Sequence, residues 1–154
     1  MEKSKKNVLS KELIFLDQKL VDQETIIRLI AKKAEELGYV ETESELYIAV
    51  KKREQAVPTA IGYNIAIPHG KTEAVNYPFI AFLRTEEAFR WTTESDEQVR
   101  LIFLIGVPHE SEGKLHLKFI SQLSKKLLDE EFREKLLRET DKNKIFEQLN
   151  AIEI

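Results

Sequence analysis

Cysteine is absent from the 154 residues. No disulfide framework, no thiol nucleophile and no thiolate-ligated zinc is therefore available, which fits a reducing cytoplasm. Proline, with 4 residues, and glycine, with 5, are scarce. No linker, low-complexity segment or internal repeat divides the chain. Long apolar runs are missing as well: none approaches the roughly 18 residues of a membrane span. The first residues, Met1-Glu2-Lys3-Ser4-Lys5-Lys6-Asn7, have no apolar core behind them and do not read as a signal peptide. Residues 1–7 read instead as a frayed tail. Positive charge is not in excess. A net charge of -3 gives no support for nucleic acid or an anionic membrane as a partner. What remains is 42% hydrophobic and 33% charged, an ordinary soluble globular mixture. The length suits one well-buried domain over residues 1–154.

The patterning predicts helices at both ends and strands between them. Glu12-Leu13-Ile14-Phe15-Leu16 is an apolar run too short to classify. Asp22 caps a helix through about Leu37, with Ile26, Ile30, Ala34 and Leu37 at helical spacing and Gly38 as the stop. Thr42-Glu43-Ser44-Glu45 has capping-box spacing and starts a second helix. Leu46, Val50 and Arg53 follow in it, and Pro58 blocks its extension. Ile61 and Ile65-Ala66-Ile67 are short β-like pieces. Segments 78–83 and 99–105 are stronger strand candidates, the second apolar enough for a central strand. Ser111-Glu112-Gly113 reads as a loop. Helical patterns then cover about 114–128, 130–138 and 141–150, with Asp129 and Asp141 as caps. Helices, strands and helices around one core imply an α/β sandwich.

The chemistry-bearing stretch is Ala66-Ile67-Pro68-His69-Gly70. A neutral imidazole is a nucleophile at ordinary pH, since its reference pKa is about 6.5. It can take up a phosphoryl group and release it again. Pro68 holds Ile67 extended and ends the strand there. Gly70 removes a side chain beside the imidazole and so admits a second molecule. The plainer alternative is a tight turn that contains a histidine. A second histidine, His116, opens the run His116-Leu117-Lys118-Phe119-Ile120. It is either a boundary residue of its helix or a donor at a helix N-terminus, where anions are favoured. Arg53 is either a solvated helix-end charge or a bidentate anion contact. His109 reads as a loop residue. Its spacing to His116, with Glu110 and Glu112 between, matches no metal motif, so no metal is expected. Walker, G-x-G-x-x-G and G-x-S-x-G motifs are missing. Trp91 and the phenylalanines read as core.

Arg53-Glu54, Pro58-Thr59, Gly62 and Ile65-Ala66-Ile67-Pro68-His69-Gly70 resemble the signature of type-2 enzyme IIA domains, the fructose–mannitol class of the bacterial phosphoenolpyruvate-dependent sugar phosphotransferase system. The likeness continues through Leu101–Val107, Pro108, His116-Leu117 and Leu123. It spans about residues 12–150, with no departure at the key positions. The resemblance implies a mixed β-sheet between helical layers. It implies a cytoplasmic phosphotransferase that needs no cofactor. His69 would be phosphorylated by the small carrier HPr and would pass the phosphoryl group to a IIB domain. His116 would support the phosphorylated state, and Arg53 would stand beside it. Membrane insertion is not implied, although association with a membrane IIC component is compatible with it. Two alternatives share the fold: a regulatory, nitrogen-related enzyme IIA, and an interaction module that no longer transfers phosphate.

Overall fold

Gln98-Val-Arg-Leu-Ile-Phe-Leu-Ile-Gly-Val107 is almost wholly apolar, and it lies at the centre of the sheet with both faces covered. The computed structural model describes residues 7–109 and 115–152. The predicted loop at Ser111–Gly113 lies outside them, as does most of the N-terminal tail. Asn7 is described, and its carbonyl accepts a hydrogen bond from the Tyr39 hydroxyl. Among the described residues the elements are β1 (Leu9–Gln18), α1 (Gln23–Glu36), α2 (Glu43–Ala56), β2 (Ala60–Gly62), β3 (Ile65–Ala66), β4 (His69–Lys71), β5 (Phe79–Arg90), β6 (Gln98–Val107), α3 (Leu115–Lys126), α4 (Glu130–Arg138) and α5 (Lys142–Asn150). The apolar run at residues 12–16 thus belongs to a ten-residue strand.

The sheet order is β1-β5-β6-β3-β2, with β4 also paired to β6. It is mixed. β1 runs parallel to β5, β5 antiparallel to β6, and β3 and β4 parallel to β6. Alternation along β5 and β6 splits the core in two, as the period of two in a strand requires. Phe79, Ala81, Leu83, Val99, Ile102 and Leu104 face the α1–α2 layer. Ile80, Phe82, Leu101, Phe103, Ile105 and Val107 face the α3–α5 layer. Helices therefore cover both sides of the sheet, as expected.

The caps are local chemistry. Asp22, Asp129 and Asp141 each accept a backbone N–H of their helix's first turn. Gly38, at φ 84°, follows the C-cap of α1. Thr42 is the N-cap of α2, but the predicted capping box does not close: its side chain accepts no first-turn N–H. The Glu35 carboxylate at the end of α1 accepts the Glu43 N–H instead. Between β2 and β3, Tyr63 and Asn64 both take positive φ, as a two-residue type I′ hairpin demands.

Candidate functional site

His69 lies beyond the point at which the sequence reading ends the strand, and pairing resumes there. It opens β4, which continues in the register of β3: Ile65 pairs with Leu101, Ala66 with Ile102 and His69 with Ile105. Pro68 has no N–H for the ladder, so it interrupts the strand without ending it. Its carbonyl still accepts from Ile105 N–H at 3.0 Å.

Gly70 also has a purpose beyond the one expected. A Cβ there would lie 2.9 Å from Val50 Cγ2 and 3.2 Å from Ala49 Cβ. The missing side chain admits helix α2, and Gly70 also lines the open cleft beside His69. Because α2 seats against β4 at this glycine, its last turn and Arg53 come to the same edge of the sheet as His69.

The alternation that turns Gly70 toward α2 turns His69 toward the α3 layer. There it meets His116, in the first turn of α3. The two rings stack with centroids 5.4 Å apart and planes 29° from parallel. Arg53, His69 and His116 line one open cleft of about 650 Å³, together with Ile48, Lys52 and Lys71. The three residues singled out in the sequence are thus brought together. Lys52, Lys71 and the exposed Ile48 were not singled out; only their placement in the fold brings them there. His109 is exposed and is not among the cleft residues.

The His69 ring has a defined tautomer. Nδ1 lies 3.0 Å from the Ile67 carbonyl oxygen. A carbonyl only accepts, so Nδ1 carries the hydrogen and Nε2 keeps its lone pair. Burial, the largest cause, holds the His69 pKa below the ordinary histidine value. The Arg53 guanidinium lowers it further, while the bond to Ile67 and the Glu54 carboxylate oppose the shift. His116 is also held low, first by burial and then by His69, Lys71 and Arg53. Two neutral imidazoles side by side avoid the repulsion of two cations. His116 Nδ1 is buried and has no hydrogen-bond partner among the described residues. Either as a donor or as an acceptor, an unpaired buried ring nitrogen costs about 1–3 kcal/mol.

Arg53 Nη1 donates to the Val57 carbonyl at 2.8 Å, just beyond the end of α2. Guanidinium has five N–H donors, so the fork retains capacity for an anion. Sequence reasoning quoted its neighbour Glu54 only within the family signature and gave it no role. Glu54 continues the buried stripe Leu46–Val50 at four-residue steps and is only 5% exposed. Its Oε1 accepts from Thr59 N–H at 2.9 Å and from Trp91 Nε1, and its Oε2 accepts from Thr59 Oγ1 at 2.6 Å. The helical spacing was the signal; the charge obscured it. Trp91 is core, as read, and is also a donor to this carboxylate.

A nucleophilic nitrogen, a second neutral imidazole and a guanidinium at one open cleft suit the transfer of a small, highly charged anionic group. The comparisons with known proteins agree. Residues 7–152 match the model of the family "Phosphoenolpyruvate-dependent sugar phosphotransferase system, EIIA 2". The fructose-specific EIIA component of Haloferax volcanii is 35% identical over 141 residues, covering 92% of this chain and 91% of the relative. Other curated relatives are multi-component proteins, of which the chain spans 18–22%. Among solved structures, the nitrogen regulatory protein IIA-Ntr of Neisseria meningitidis superposes with a TM-score of 0.82 at 25% identity, covering 92% of this chain and 96% of the other. Mannitol IIA of Escherichia coli, solved in complex with phosphorylated mannitol IIB, gives 0.77 at 31% identity, with coverage of 92% and 96%. The chain belongs to the EIIA type-2 family of the phosphoenolpyruvate-dependent sugar phosphotransferase system.

Proposed function

We propose that this chain is a cytoplasmic phosphocarrier that accepts a phosphoryl group from phospho-HPr on His69 and passes it to a IIB component for sugar uptake. The observation that carries the reading is the stacked pair of histidines beside Arg53. The Nε2 lone pair of His69 attacks the phosphorus of the donor phosphohistidine. A new N–P bond forms as the donor's N–P bond breaks, and the electron pair returns to the donor imidazole. Transfer to IIB repeats the step in the other direction, with IIB supplying the nucleophile. Little covalent work is asked of the protein beyond this, so positioning and charge stabilisation dominate. Arg53 and the N–H of His116 supply both, and the open cleft admits two partners in turn. Among the described residues no helix is long and apolar enough to cross a membrane.

The test uses labelled phosphoenolpyruvate, enzyme I and HPr. Wild type takes up a single acid-labile, base-stable phosphoryl group, and His69→Ala takes up none. Labelling of His69→Ala to the wild-type extent ends the assignment. His116→Ala still accepts phosphate but donates poorly to IIB; donation at the wild-type rate makes His116 a mere boundary residue. The likeness to IIA-Ntr supports a second reading, a regulatory IIA. That reading predicts loading of His69 with no onward transfer to a sugar-system IIB.

A further inference from the structure

We propose that Glu54 is a positioning residue for phosphoryl transfer, clamping the segment that sets Arg53 and His69 relative to each other. The inference rests on the reading of His69 as the acceptor. Both functional side chains are tied to residues 57–59. Arg53 Nη1 donates to the carbonyl of Val57. The His69 ring is held by the carbonyl of Ile67, whose own N–H donates to the carbonyl of Thr59 at 3.0 Å. Thr59 is in turn held twice by Glu54, through its N–H and its hydroxyl. Trp91 Nε1 fixes the same carboxylate from the far side. The path from Glu54 to the imidazole therefore consists of hydrogen bonds and the backbone of two residues. The path from Glu54 to the guanidinium is shorter still, since Arg53 is its neighbour and bonds across the same turn.

A buried carboxylate is costly to keep unless its oxygens are satisfied. Here every recorded donor comes from the turn being held or from the tryptophan that backs it. An apolar residue would fill the stripe Leu46–Val50–54 as well. It would not hold Thr59 and would leave the turn between Arg53 and His69 to find its own shape. Glu54 does not line the cleft or touch the reacting atoms, so beyond the pull of its charge on the His69 ring it acts by holding the other two in place.

The test is a double-variant cycle on single-turnover transfer from labelled phospho-HPr, run on the intact chain below its unfolding transition. Glu54→Ala is expected to slow transfer about 10- to 100-fold, the cost of a small misplacement of reacting groups. Glu54→Gln keeps the clamp, because its oxygen accepts from Thr59 N–H while its amide donates to the Thr59 hydroxyl, so it stays within about threefold of wild type. In the Arg53→Ala background, Glu54→Ala costs little more, because the alignment it maintained is already gone. If Glu54→Ala does not fold, Thr59→Ala takes its place in the cycle, with a smaller loss that Arg53→Ala again absorbs. Wild-type rates in both Glu54→Ala and Thr59→Ala overturn the proposal. So do losses that simply multiply in the double variant, and so does a Glu54→Gln protein as slow as Glu54→Ala. His69→Ala runs alongside. Labelling that survives in it overturns the acceptor assignment, whereas an additive cycle with labelling confined to His69 overturns only the role of Glu54.

Discussion

Among the described residues two charged side chains are buried, one on each face of the sheet, and they are held in opposite ways. Arg84, in β5, is 1% exposed. Its Nη2 lies 3.0 Å from the Asp17 carboxylate, and its Nη1 donates to the Leu136 carbonyl at 2.9 Å. It therefore ties β1, β5 and α4 together through an opposite charge. Among the described residues Glu54 pairs with no cation; neutral donors from Thr59 and Trp91 satisfy it. Position separates them too. Arg84 pairs with Leu101 on β6 and His69 with Ile105, four residues further on and so about 13 Å away along the strand. The lesson concerns partners more than burial. A buried charge that meets its counter-charge between layers cements the layers. One that gathers neutral donors from a single turn fixes the shape of that turn.

The comparison breaks if rate and stability follow the same residues. The largest expected effect is on rate. Arg53→Ala slows phosphoryl transfer by about 10- to 100-fold, the range of a lost hydrogen bond to a charged group, and leaves the unfolding midpoint unchanged. Arg53→Lys restores part of the rate, because an ammonium lacks the fork. Rapid-quench transfer from phospho-HPr reads both, and a wild-type rate for Arg53→Ala removes it from the site.

The opposite outcome is expected at the other end of the sheet. Asp17 adopts φ 54°, a conformation that asparagine also tolerates, so Asp17→Asn removes the charge without straining the backbone. Asp17 is 54% exposed, so screening discounts the pair. The loss is about 1 kcal/mol, or about 2–4 °C in Tm, with transfer unchanged. A calorimetric scan beside the transfer assay decides it. Slowed transfer in Asp17→Asn would erase the distinction between the two regions.

The smallest effect is on pH dependence. His69 and His116 are both held below the ordinary value of 6.5. As pH falls past that value the unfolded chain takes up their protons before the folded one does, so unfolding gains protons and stability declines. Above it both states are neutral and the contribution is flat. Urea midpoints between about pH 5.5 and 7.5 should slope upward, and the slope should be shallower in His69→Ala. Equal slopes would mean that the histidine pair does not tax the acid side of the stability curve.

Local signals in the sequence were read well and pairings were not. Asp22, Asp129 and Asp141 could be placed as caps because a cap needs only its own next residues. β6 could be placed at the centre because burial on both faces leaves a continuous apolar run. Thr42 was read correctly as an N-cap, but its partner was misjudged, since Glu35 comes from the preceding helix. β4 was missed: His69-Gly70-Lys71 has no strand pattern of its own and takes its conformation from β6. Gly70 was credited to a ligand alone because the helix that needs its space lies twenty residues earlier in the chain and is invisible to a local reading. At the candidate site, the convergence of His69, His116 and Arg53 was legible from the family motif, whereas the burial of Glu54 required knowledge of which face of α2 is covered.

The constant register of β3 and β4 has a consequence for insertions and deletions. Ile65 opposes Leu101 and His69 opposes Ile105, an offset of 36 residues on both sides of Pro68 (101 − 65 and 105 − 69). The link Ile67-Pro68 therefore has a fixed length. One residue added or removed there, with β4 keeping its hydrogen bonds to β6, would exchange the two faces of the strand. An added residue would press the imidazole into Val50, whereas a removed one would set Gly70 opposite His116 and Lys71 against Val50. Substitutions in this link alter the site by degrees, but a change in its length by one residue inverts it.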